Sequence, residues 1–267
     1  MKKGICILLA VVLLLSLGVT GCAEEDGITA EKVYLWLEQG DEASETVEDQ
    51  AANGALRLAE MMVVLNSNYI ETEEEVDRLN SILDDLTEVD VPDESSQNKL
   101  AIGLIKTFEG LLIFEQQIDR EGTFEDTMYQ IVESYNAGDE KMQNSREQAV
   151  NALYHSVYMA SLIVQELCTD QKAIGQIQAE MAAFSEGDNA ASNASEQLVN
   201  GGETLFRLLT AIASLHAPDN SFTEDISKIS EDKYADNETE SDSTFLLANW
   251  LYGCVAMTGV LVEEAQA

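Results

Sequence analysis

Apolar positions along this chain recur on two scales. Within stretches of about 20 residues they fall at i, i+3, i+4 and i+7, the spacing that gathers them on one face of a helix. On the larger scale the pattern returns every 49 residues. One apolar column reads Ala30, Leu79, Met128, Ile177 and Ile226. Others read Ala52, Ala101, Val150, Val199, Ala248, then Ala59, Phe108, Val157, Phe206, Val255, then Leu65, Phe114, Ile163, Ile212, Leu261. The first column belongs to a shorter helical pattern of about 10 to 16 residues; the other three belong to the longer one.

Between the two patterns stands Gly then Asp: Gly40–Asp41, Gly138–Asp139 and Gly187–Asp188, with Val89–Asp90 and Asp236–Asn237 as the exceptions. Gly adopts the left-handed backbone that ends a helix, and Asp or Asn can accept from the free N–H groups opening the next. Each unit is therefore predicted to be a short helix, a Gly-Asp turn and a long helix. Five units, 23–71, 72–120, 121–169, 170–218 and 219–267, predict an all-α protein, an α-solenoid of five 49-residue helical hairpins in one domain over 28–267. The period and the missing Trp, Gly and Tyr offsets separate it from true tetratricopeptide repeats, leaving the general TPR-like class of hairpin repeats.

The first 22 residues have a different logic. Lys2 and Lys3 precede an apolar run from Ile5 to Val19, which ends in Val19-Thr20-Gly21-Cys22. This resembles a bacterial lipoprotein signal peptide, with small residues before a cysteine that is lipidated as the new N-terminus. The resemblance implies a leader over 1–21, lipidation at Cys22, a tether over 22–27, and a body anchored outside the cytoplasm without a spanning helix. The apolar stretch Phe245 to Val262 is long enough to raise a second membrane question. Its internal Asn249 and its place as the fifth long helix argue for an ordinary core helix.

The charge then narrows the partners. There are 50 acidic residues against 14 basic, a net charge of −36, and loss of Lys2 and Lys3 with the leader makes it more negative. Nucleic acid is excluded as a partner, and anionic headgroups repel the body, leaving attachment to the lipid. The two histidines, His155 and His216, have no helical metal-ligand spacing, and no nucleophile–base motif is present, so neither a metal, a cofactor nor an enzymatic activity is expected. Cys168 and Cys254 differ in repeat register by 12 residues, about 18 Å along parallel helices, beyond disulfide reach. Two buried thiols are expected.

Asn is a poor mid-helix residue, yet it recurs at Asn53, Asn151, Asn200 and Asn249. Offsets of 4 and 7 share its face, adding Arg57, Lys106 and His155, then Tyr158 and Arg207. The stripe is read as a ligand groove, resembling in principle the Asn ladder of armadillo-type solenoids. The competing expectation is that each Asn bridges neighbouring hairpins while Arg57–Glu60 and Lys106–Glu109 pair along the helix. The last helix, with Leu247, Trp250, Leu251 and Met257, lacks the polar face of a solenoid cap, so it is expected to dock a protein or peptide partner or a second copy of the chain. Together these features predict a membrane-anchored scaffold that binds a protein or peptide, with a solute-capture subunit of an envelope transporter as the alternative.

Overall fold

The computed structural model describes residues 28–119, 122–168, 170–216, 222–237 and 240–266. The leader, Cys22 and the tether lie outside them. The described residues form ten helices: α1 (Ala30–Ala43), α2 (Val47–Ser67), α3 (Glu73–Val89), α4 (Ser96–Ile118), α5 (Glu125–Asp139), α6 (Ser145–Leu167), α7 (Gln171–Ala190), α8 (Ala194–His216), α9 (Thr223–Asn237) and α10 (Ser243–Gln266). No strand occurs among the described residues, so the all-α expectation holds.

The turns do not sit at the Gly-Asp pairs. Gly40 and Gly187 lie inside α1 and α7, and Gly138 is next to last in α5. The positive-φ glycine among the described residues is Gly122 instead. The long helices begin about one turn later than expected, at another 49-residue column: Thr46, Ser95, Asn144, Asn193 and Asp242. Thr46 forms a reciprocal capping box with Asp49, and Ser95 and Asn144 accept from the N–H of Asn98 and Glu147. Asn193 Oδ1 accepts from Ser195 and Glu196, and Asp242 Oδ1 from Thr244 and Phe245. Five short polar side chains thus satisfy the orphan donors of five long helices.

Those long helices make the inner layer. First-turn side chains meet across neighbours, as in Ser96 with Asp49, Ser145 with Asn98 and Arg146 with Ser195, so the inner helices run parallel. In order, α2, α4, α6, α8 and α10 pack each on the next. The expected solenoid would stop there with two free ends. Here α10 packs back on α2 as extensively as successive helices do, and the inner layer closes into a ring. Tyr252 Oη donates to Asp41 Oδ1 at 3.0 Å across this seam, and Tyr34 Oη donates to the Ala256 carbonyl at 3.4 Å. The shorter helices α1, α3, α5, α7 and α9 cover the outside, each on the inner helix that follows it.

A column of small residues makes the ring possible. A Cβ on Gly103 would sit 2.6 Å from the backbone carbon of Ala55, and one on Gly201 would sit 2.9 Å from the Leu153 side chain. At the seam, a Cβ on Gly54 would sit 2.8 Å from the Tyr252 ring and 3.1 Å from Leu251. At the α2–α4 and α6–α8 interfaces a glycine thus lies against the next column of the preceding helix, and the α10–α2 contact repeats the arrangement. Between α8 and α10 the sizes are exchanged: Trp250 occupies the small column and Gly202 faces it, where an added Cβ would sit 3.4 Å from the Trp250 Cβ.

Closure also removes the docking surface expected on the last helix. Leu247, Trp250, Leu251 and Met257 are all buried, because α10 meets α2, α8 and α9. A helix apolar nearly all round is what a position enclosed on three sides requires. Its length and hydropathy would suit a membrane span, but 72% of its apolar window is buried inside the protein. Cys168 and Cys254 are both free and buried.

Candidate functional site

The Asn column faces the outer layer rather than solvent. Asn53 Nδ2 donates to the Leu37 carbonyl at 2.9 Å, Asn151 to Tyr135 at 3.0 Å and Asn200 to Phe184 at 2.9 Å. Each bond runs back 16 residues, from an inner helix to the outer helix of its own hairpin. At the seam Asn53 Nδ2 also reaches Tyr252 Oη of α10 at 3.4 Å, bridging neighbouring hairpins there. All three amides staple an inner helix to the outer helix of the same hairpin. The same contact explains the glycines. A Cβ at Gly187 would lie 2.5 Å from Asn200 Oδ1, and Gly40 and Gly138 crowd Asn53 and Asn151 in the same way. Asp236 replaces the glycine in the last unit, and Asn249 reaches the Lys233 carbonyl only at 3.5 Å while bonding Asn237 Oδ1 at 2.7 Å. In the second unit both partners are apolar, Val89 and Ile102.

The basic residues of the stripe are committed as well. Arg57 pairs with Glu60 at 2.8 Å and with Asp90, and stacks over Trp36 at 5.7 Å. Burial lifts the Glu60 carboxyl to about 7, against the opposing pull of Arg57. Lys106 pairs with Asp85 at 2.6 Å and Glu109 at 2.9 Å. Arg207 pairs with Glu180 at 3.0 Å and Glu203 at 2.6 Å, and donates to Tyr234 Oη. The expected helix pairs Arg57–Glu60 and Lys106–Glu109 are present. Each cation also ties its inner helix to an outer one.

In the third unit the stripe opens. Between α5 and α7, above α6, lies a cavity of about 540 Å³. Helical periodicity builds all three walls. α5 contributes Thr127, Gln130, Ile131 and Ser134; α6 contributes Tyr154, His155, Tyr158, Ser161, Leu162 and Gln165; α7 contributes Ile177, Gln178 and Met181. His155 and Tyr158 are thus the stripe residues that line this cavity; Asn53 lines a separate recess near the start of α2 and α4, and Arg57, Lys106, Arg207, Asn151, Asn200 and Asn249 line neither.

The lining is uncharged. His155 Nδ1 lies 2.8 Å from the Asn151 carbonyl, which can only accept, so Nδ1 carries the proton. Nε2 then accepts from Ser134 Oγ at 3.0 Å. Burial holds His155 below its usual pKa, outweighing the bond to the carbonyl, and the ring stays neutral. Tyr154 Oη donates to Tyr158 Oη at 3.1 Å, their rings 4.9 Å apart, and burial raises the Tyr154 phenol. The remaining walls are amides, hydroxyls and aliphatic carbon. By contrast, a recess of about 580 Å³ near the start of α2 and α4 holds Glu45, Asp49, Asp90 and Glu94. Another of about 720 Å³ beside α9 holds Glu203 and Glu231.

Much of this lining was missed in the sequence. Gln130 and Ser134 are spaced by 4 and Tyr154 and Tyr158 by 4, a signal that marks a face but not what faces it. Ser134 and His155 form a bonded pair, but the ring's other nitrogen is held by a main-chain carbonyl, and no carboxylate completes a catalytic triad among the described residues. Comparison with protein-family models, curated proteins and solved structures finds no match for this chain.

Proposed function

We propose that this chain is a non-catalytic binding protein held outside the cytoplasm by a lipid on Cys22, and that the cavity over α6 captures an uncharged polar ligand. The observation that carries the reading is a cavity of about 540 Å³ without a charged side chain, in a protein of net charge −36. A carboxylate or phosphate ligand meets no cation there and is opposed by the field of the whole chain. Tyrosine faces take apolar C–H surfaces, while Gln130, Gln165, Gln178, Thr127 and Ser161 offer both donors and acceptors. Neutral carbohydrate presents that combination of C–H faces and hydroxyls. Burial of the last helix favours solute capture over the docking scaffold.

The test is a thermal-shift and calorimetric screen of neutral oligosaccharides against charged analogues, using the full chain in detergent. A neutral ligand should raise the Tm, and Tyr158→Ala should weaken it by about 10-fold or more, the loss of one stacking contact worth roughly 1.4 kcal/mol. Binding untouched by Tyr158→Ala, or selective for an anionic analogue, would remove the reading. The membrane attachment has its own test. Cys22→Ser should move the protein from the detergent-extracted membrane fraction to the soluble one, and retention in the membrane would count against a lipid anchor.

A further inference from the structure

Three carboxylates converge where the inner helices α4 and α6 end. The oxygens of Glu115, Asp119 and Glu166 lie within 4.8 Å of one another. Glu115 is 1% exposed, and its Oε1 has no hydrogen-bond partner. Glu166 Oε2 is buried and equally without one. Asp119 is fixed by main chain, its two oxygens accepting from Thr123 and Phe124 at 2.7 Å. Among the described residues no lysine or arginine forms an ion pair with any of the three.

Packing does not ask for this arrangement. The repeat positions equivalent to Glu115 are Asn66, Val164, Ala213 and Val262. At Asn66 a neutral amide bonds the Met62 and Gly110 carbonyls, at 2.7 and 3.0 Å. The setting is also hostile to anions: both helices present their C-terminal, negative ends here. Burial first, then neighbouring carboxylate charge, lifts Glu115 and Glu166 to about 7. An unpartnered buried carboxylate beside two others, at two negative helix ends, requires a cation to be stable as an anion.

We propose that Glu115, Asp119 and Glu166 bind a divalent cation, calcium by preference, clamping the end of α4 to the end of α6. An all-oxygen, anionic ligand set suits a hard cation, and ligands on opposite sides of calcium stand about 4.6–5.2 Å apart. Magnesium needs a tighter octahedron and gives up water reluctantly. The site lies apart from the thirteen side chains of the cavity over α6, and its test does not depend on a ligand there.

The full chain in detergent, stripped with EDTA, is titrated with calcium chloride and with magnesium chloride, followed by calorimetry and melting. Calcium should raise the Tm by several degrees at a stoichiometry near one for the strongest site. Glu115→Gln and Glu166→Gln should each weaken that binding by about 10-fold or more, while Glu73→Gln, at the exposed start of α3, should not. Metal-free Glu115→Gln should melt no lower than the parent. No calcium response in the parent, or a response equal in all three variants, as diffuse binding to an acidic surface would give, overturns the site. If Glu115→Gln does not fold, Glu166→Gln alone decides.

Discussion

Gly103→Ala is expected to lower the stability by about 3 kcal/mol, a fall in Tm of about 6–12 °C for a chain of this size. The sign runs against helix propensity, since Gly→Ala inside a helix normally stabilises by about 1 kcal/mol. It reverses here because the added methyl would stand 2.6 Å from the Ala55 backbone carbon and 2.8 Å from the Leu56 nitrogen. Those atoms belong to the main chain of α2, so no rotamer change relieves the clash. Helices α2 and α4 must separate, and a closed ring passes that displacement to every other interface. Circular dichroism melting of the variant checks it. A Tm equal to or above the parent's would show that the inner helices do not approach as closely as described.

Gly138→Val is expected to cost about 2–3 kcal/mol alone, and Asn151→Ile about 1–3 kcal/mol. The first drives a side chain into the Asn151 amide; the second deletes a buried hydrogen bond to the Tyr135 carbonyl. The double variant recreates the Val–Ile pair that the second unit carries at Val89 and Ile102. It should recover at least about 1 kcal/mol of the summed loss, the coupling expected of residues in contact. Denaturant unfolding of the four species measures the cycle. Additive losses would mean that the two columns recur independently and that the glycine serves another purpose.

These two cases also show how far the chain could be read before folding. The 49-residue period, the paired helices and the apolar columns were legible because one structural unit is copied and each copy buries the same positions. The association of Gly with Asn was visible as two columns, but its cause was misassigned. A glycine thirteen residues before an asparagine looks like a turn residue, whereas here it makes room for an amide on the facing helix. The N-cap column Thr46, Ser95, Asn144, Asn193, Asp242 was equally present and marks the true helix starts. The Gly-Asp pairs upstream compete with it as punctuation, and only the packing separates the two. In the candidate site, His155 and Tyr158 could be named from their shared helix face. The walls supplied by α5 and α7 could not, since nothing in the spacing says which unit leaves its face uncovered.

By itself, then, the sequence determined the 49-residue period, the helical content and the acidic balance of the chain, because these depend on local periodicity and composition. Only the tertiary structure decided that the array closes, with α10 against α2. Closure depends on the rotation from one hairpin to the next, and that rotation is set by contacts such as Gly103 against Ala55 and Trp250 against Gly202. The same long-range packing turned an apolar last helix from a docking face into the final inner element. It also brought Glu166 to within 4.8 Å of carboxylates from another helix, a proximity no spacing along one chain segment records.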